Sequence, residues 1–139
     1  MSRLRTLSPY LLAALLVGAG SLHFLKPQPY DGIIPSFLPH PRVWTYASGL
    51  AELAYAATVA VPRTRERGAL ATAGLFVAVF PANVQMAVHP GSVPPLLAYA
   101  RLPLQIPLVL WALQVRAQSR ARSASVARPS STSGPIRSS

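Results

Sequence analysis

The chain has 139 residues, 51% of them hydrophobic and only 12% charged, where a soluble domain carries about a quarter. Thirteen Lys and Arg against three Asp and Glu give a net charge of +10, and there is no cysteine. The shortage of charge points to lipid rather than water as the solvent, and the missing cysteine excludes disulfide frameworks, thiol relays and thiolate metal sites.

Four apolar runs follow in chain order, over residues 7–25, 43–61, 68–88 and 96–115. Each is close to the roughly 20 residues that cross about 30 Å of hydrocarbon. None shows the charged face at period 3.6 that a soluble core helix carries. The expected fold is therefore all-α, a four-transmembrane-helix bundle. Arg3 and Arg5 before the first run, with the small residues Gly18 to Ser21, offer a signal-peptide reading. The run continues to Leu25 and three more follow, which favours a first span. The link from Lys26 to Arg42 holds five prolines, so no regular helix fills it. It also carries Tyr30, Ile33, Ile34, Phe37 and Leu38. A cap over the outer mouth of the bundle and an interfacial loop held by lipid heads both fit that composition. The second run is interrupted only by Glu52. The fourth carries Arg101, Pro103 and Pro107, whose missing N–H groups free the carbonyls of Tyr99 and Pro103. Residues 1–116 form the expected membrane domain. Residues 117–139, rich in Ser, Arg and Pro, read as a disordered basic tail.

Arginine placement sets the orientation. Arg3, Arg5, Arg63, Arg65, Arg67 and the five arginines after residue 115 fall on one side. Only Lys26 and Arg42 fall on the other, and Arg101 lies within a run. The positive-inside rule then places both termini in the cytoplasm of a multi-pass cell-membrane protein. That explains the charge without nucleic acid, and no aromatic residue is interleaved with the tail arginines to stack on bases. Trp44 and Trp111 lie near run ends, as in an aromatic belt. Ala14 with Gly18, and Gly74 with Ala78 and Ala82, have the spacing of close helix contacts.

Ionisable groups at membrane depth are costly and point to function. His23, Glu52, Asn83 and Arg101 contribute one polar residue per run, all in the outer half of the bilayer when the runs alternate in direction. Ser48, Glu52 and Tyr55 share one helix face, as do Arg101 and Gln105. The expectation is one intramembrane pocket with Glu52 and Arg101 as partners. A purely structural role is open for each: register for Glu52 and Arg101, interhelical bonding for Asn83, the headgroup boundary for His23. No carboxylate cluster, phosphate loop or nucleotide fingerprint is present, and no metal site is expected.

Several stretches together resemble the DoxX-like membrane proteins. They are Gly20-Ser-Leu-His-Phe-Leu-Lys-Pro, Ile34-Pro-Ser-Phe-Leu-Pro, Ser48-Gly-Leu-Ala-Glu52, Val61-Pro-Arg-Thr-Arg, Phe80-Pro-Ala-Asn83 and Arg101-Leu-Pro-Leu-Gln105. The resemblance covers about residues 10 to 115. It implies a four-helix membrane bundle whose characteristic polar positions are His23, Glu52, Asn83, Arg101 and Gln105. Some relatives are linked to membrane redox, including a thiosulfate:quinone oxidoreductase subunit, and most have no assigned activity. The expected function is binding of a small lipid-soluble molecule, with a quinone as the candidate ligand. The alternative form of that expectation is a subunit of a membrane redox or stress-response complex with protein partners in the bilayer. A scaffold or anchor without chemistry and a small transporter subunit are the competing expectations.

Overall fold

A computed structural model describes residues 3–128. The described residues fold as six helices, with no strand among them. They are α1 (Arg3–Leu25), α2 (Gln28–Asp31), α3 (Pro41–Ala60), α4 (Arg65–Ala78), α5 (Phe80–Val88) and α6 (Pro95–Val126). Three units are long and apolar enough to cross a membrane: α1, α4 with α5 (Arg65–Val88), and α6. The α3 helix, expected as a further span, is 20 residues long but is not among the three. Its apolar content is diluted by Arg42, Thr45, Ser48, Glu52 and Thr58.

Helix α1 packs along α3, α3 along α4, and α4 and α5 along α6. The main core lies where α1, α3, α4 and α6 meet, around Leu12, Leu16, Val59, Phe76 and Val115. Alanines fill the rest of it, at Ala13, Ala56, Ala69, Ala73 and Ala112. Such small residues let backbones approach, which is how helices gain contact when lipid is as apolar as the core. Exposed large apolar side chains outnumber buried ones, with Leu11, Leu15, Val77, Leu104, Ile106 and Leu110 all on the outside. A surface of that kind is far beyond the apolar patches that water tolerates.

The close approach of α1 to α3 is not at the expected small-residue ladders. A Cβ on Gly18 or Gly74 would meet nothing within 4 Å. The crossing lies instead at Gly20 of α1 and Gly49 of α3. A Cβ on Gly49 would sit 2.7 Å from His23 Cβ, 2.9 Å from Phe24 Cε2 and 3.0 Å from the Gly20 carbonyl.

The third apolar run is one path in two helices. Pro81 has no N–H for the Val77 carbonyl, and the helix yields at Val79 (φ −83°, ψ −2°) before α5 resumes. Pro103 and Pro107 lie within α6 without ending it. Helix α6 also runs on to Val126, so residues 117–126 of the expected disordered tail are helical. Ser119 and Ser123 hydroxyls donate to the carbonyls four residues back, at 3.0 and 3.2 Å. They satisfy locally what a polar segment would otherwise offer to water. The rest of that tail, 129–139, lies outside the described residues.

Arg65 joins α3 to α4. It is 5% exposed; its Nε donates to the Val59 carbonyl at 2.7 Å and its Nη2 to that of Ala60 at 2.7 Å. Carbonyls at a helix end have no intrahelical partner, and a cation there also opposes the helix dipole. Its guanidinium lies 5.0 Å from the centre of the Tyr10 ring, so it ties α1 to the same corner.

Candidate binding site

Between α1 and α3 the chain folds inward through α2. Ile33, 8% exposed, packs with Met86 of α5 and Ala98 of α6, with Tyr30, Ala82 and Val93 around them. Phe37, in contrast, is 80% exposed. Two bonds hold α2 to the start of α3. Arg42 Nε donates to Asp31 Oδ2 at 2.7 Å, and Thr45 Oγ1 donates to Asp31 Oδ1 at 2.6 Å. Partial burial works to raise the Asp31 pKa, but the hydrogen bonds from Arg42 and Thr45 outweigh it and hold the carboxyl below its ordinary value of 3.8. A carboxylate with a depressed folded pKa stabilises fully above its unfolded value, and that contribution is lost as pH falls through the folded one. Asp31→Asn is therefore expected to lower the melting temperature at neutral pH. It should also flatten the part of the wild-type decline that lies below pH 3.8. Thermal scans in detergent from neutral pH downward measure both effects.

Beneath this segment lies a cavity of about 80 Å³, lined by His23, Tyr30, Thr45, Ser48, Glu52 and Arg101, with Val79 and Ala82 at its wall. Five elements or their junctions supply these residues, and the Gly20–Gly49 crossing sets the two innermost side chains. His23 packs over Gly49, where an added Cβ would meet its Cβ at 2.7 Å, and Glu52 packs over Gly20, at 3.1 Å, so the close approach brings them together. His23 Nδ1 is 3.5 Å from Glu52 Oε2. The same nitrogen donates to the Ala19 carbonyl at 2.9 Å. Its hydrogen is thus engaged by that carbonyl, and the Glu52 oxygen is a close neighbour rather than its hydrogen-bond acceptor. Glu52 Oε2 is buried without a hydrogen-bond partner. With the hydrogen on Nδ1, the uncharged form of the His23 ring presents Nε2 as an acceptor. Tyr30 stacks on His23 with ring centres 3.8 Å apart. Burial, partly opposed by the Arg101 charge, holds the Tyr30 phenol above its ordinary value of 10.0, so it serves as a neutral donor.

The expected cluster is divided between two places. His23, Ser48, Glu52 and Arg101 line the one cavity. Arg101 does not pair with Glu52; its Nη1 reaches Met86 Sδ at 3.6 Å. Asn83 and Gln105 form a separate bridge from α5 to α6, with Asn83 Nδ2 donating to Gln105 Oε1 at 2.8 Å. Tyr55 turns away and packs against the main apolar core. Tyr55 lies one turn further along than Glu52, where α3 meets that core.

Thr45 and Tyr30 are site residues that the sequence reading did not single out. Thr45 was legible: it precedes Ser48 by three and Glu52 by seven, the spacing of one helix face. Tyr30 carried no local signal, because its place depends on α2 folding back over α1.

The cavity does not stand alone. Tyr30 and Arg101 also line an adjoining groove of about 320 Å³, whose other walls include Leu22, Lys26, Met86, Val93 and Leu97. Among the described residues no group of three His, Asp or Glu side chains is placed to hold a metal ion.

Residues 12–116 match a family described as a domain of unknown function, DUF8561. No curated protein and no solved structure matches the chain. The matched region takes in most of α1, all of α2 to α5 and the apolar length of α6, and the chain belongs to the DUF8561 family.

Proposed function

We propose that this chain is a four-span membrane protein of DoxX-like type, with both termini in the cytoplasm. We further propose that it binds a small lipid-soluble molecule with a polar head, of which a quinone is the candidate. The observation that carries the binding reading is the buried, unpartnered Glu52 Oε2, at a polar cavity that adjoins an apolar groove. A buried polar atom without a partner is expensive and is a place where a ligand is rewarded.

The fourth span rests on connectivity. Only residues 61–64 separate α3 from α4, and the two helices pack side by side. If α4 crosses the bilayer, an antiparallel neighbour joined by so short a link crosses with it. The polar residues of α3 then face the cavity rather than lipid, as ionisable groups in a span do. The segment carrying α2 becomes a cap on the outer mouth. The DoxX-like assignment is supported by the motifs around His23, Glu52, Asn83 and Arg101.

The cavity of about 80 Å³ admits only a head group's edge or a few waters, well below the roughly 300–1,000 Å³ of a small-molecule pocket. With the adjoining groove of about 320 Å³ the space enters that range. In this arrangement the tail lies along Leu22, Met86, Val93 and Leu97. Arg101 and Tyr30 donate to head-group oxygens. Glu52 accepts from a ligand hydroxyl, and His23 Nε2 stands ready as a second acceptor. Asn83, which is engaged with Gln105, takes no part.

The test is Glu52→Gln, measured as binding of a decyl-substituted benzoquinone and its quinol to the purified protein in nanodiscs. The quinol is expected to bind about tenfold less tightly, the carboxyl oxygen that accepts from its hydroxyl being replaced by an amide whose NH2 competes for the same position. Wild-type affinity for both forms in the variant would remove Glu52 from the site and the proposal with it.

A further inference from the structure

On the far side of α5 lies a larger space that the outer cavity does not use. It is a groove of about 640 Å³ between the α4–α5 break and α6, lined by Val77, Phe80, Leu102, Ile106 and Val109, with Gln105 among them. Helix α5 divides the two sites: Val79 and Ala82 line the outer cavity, and Phe80 and Pro81 line this groove. Almost the whole lining is hydrocarbon, and Gln105 is the exception.

Gln105 is 7% exposed. Its Oε1 accepts from Asn83, while its Nε2 is buried and has no hydrogen-bond partner. The two amides make a single bond between them, so one end of the Gln105 amide is left over however the pair is oriented. In hydrocarbon no water is at hand to complete it, and an unsatisfied group is penalised more heavily than in a soluble protein. The residue also lies at the middle of the apolar run 96–115, roughly 15 Å from either edge of a 30 Å core. The ester carbonyls of bilayer phospholipids lie at those edges and do not reach it. A partner for Nε2 must therefore bring its acceptor to mid-bilayer on an apolar body.

We propose that this groove is a second intramembrane binding site, for a lipid-soluble molecule bearing a carbonyl that accepts a hydrogen bond from Gln105 Nε2 while its chain lies against Phe80, Ile106 and Val109. The site is independent of the Glu52 cavity and does not rest on it. The groove volume lies within the usual range for a small-molecule site. The Asn83 bond holds the Gln105 amide in place, so little side-chain freedom is lost on binding.

The test uses a decyl-substituted benzophenone, whose ketone is both the acceptor and the photoreactive group. On irradiation the excited ketone takes a hydrogen atom from a neighbouring C–H, and the two resulting radicals join as a new C–C bond. Full-length protein in nanodiscs is irradiated with the probe, and adducts are mapped by peptide mass spectrometry. Adducts are expected to concentrate on Phe80, Leu102, Ile106 and Val109, and to fall about tenfold in Gln105→Leu. Val109→Phe, which narrows the groove and leaves the amide intact, should lower them as well, and it decides the matter if Gln105→Leu does not fold. Glu52→Gln should leave them unchanged. Adducts spread evenly over the lipid-facing leucines, or undiminished in Gln105→Leu and Val109→Phe, would show apolar partition only and overturn the proposal. Loss of the groove adducts in Glu52→Gln would overturn the independence of the two sites.

Discussion

Gly49→Val is expected to separate α1 from α3 and to destabilise the protein by about 3 kcal/mol or more, the upper part of the range for forcing bulk into a packed interface. Even a single Cβ there would come 2.7 Å from His23 Cβ and 2.9 Å from Phe24 Cε2. The obstruction on one side is backbone, the Gly20 carbonyl at 3.0 Å, which no rotamer change relieves. Valine adds two methyl groups to that clash. Loss of the His23–Glu52 contact follows from the same geometry, because His23 packs over Gly49 and Glu52 over Gly20. Gly18→Val is the matched control: it places the same side chain on α1 where nothing lies within 4 Å. Melting temperatures of the two variants in one detergent should differ widely, with Gly18→Val near wild type. Equal stability of the two would mean that α1 and α3 do not cross at these glycines.

The second large effect belongs to Arg65. Replacing it with methionine keeps most of the stem and removes both bonds to the α3 C-terminus. Two carbonyls lose a charged donor in a buried corner, and the contact with Tyr10 goes too. A loss of about 3 kcal/mol is expected, since hydrogen bonds to charged groups contribute roughly 1.5–3 kcal/mol each and are not fully additive. Arg63→Met and Arg67→Met remove the same charge from exposed positions in the same link and should leave stability nearly unchanged. Urea or thermal unfolding in detergent separates the three. If Arg65→Met proved no worse than its neighbours, the α3 carbonyls would have other partners.

Arg65 also marks the limit of what the sequence conveys. It reads there as one of three arginines in a short polar link, and it counts the same toward the positive-inside bias whichever way it points. Nothing local distinguishes the arginine that turns back to cap α3 from the two that face solvent. The apolar runs were legible because lipid demands length and hydrophobicity, and helix boundaries fall close to them except at the end of α6, which runs on to Val126. The break at Val79 was legible in part, since Pro81 has no N–H to offer the Val77 carbonyl. The small-residue ladders misled at Gly18 and Gly74, because the i, i+4 pattern shows a helix face without showing what lies opposite. Gly20 and Gly49, the pair that touches, belong to two helices, and no spacing within one helix identifies such a pair.

The site divides in the same way. Depth along each helix placed His23, Glu52 and Arg101 at one level, and they line one cavity. Depth has no angular component, however. Gln105 is one turn from Arg101 and shares its helix face by spacing, yet α5 stands between the two spaces, and Asn83 draws the Gln105 amide to the other side. The Glu52–Arg101 partnership was inferred from charge alone. The structure instead gives Glu52 a histidine neighbour and Arg101 a methionine sulfur.

Lipid as the solvent for four helices is the premise beneath the cavity and the groove, and the absence of cysteine allows a direct measurement. Single cysteines at Ser36, between α2 and α3, at Thr64, between α3 and α4, and at Ser125, near the end of α6, all occupy exposed positions. A membrane-impermeant maleimide applied to intact cells should label Ser36→Cys. Thr64→Cys and Ser125→Cys should react only after the membrane is permeabilised. Labelling of Ser36→Cys and Thr64→Cys from the same side would mean that α3 does not cross, and the outer cavity could not then lie within the bilayer.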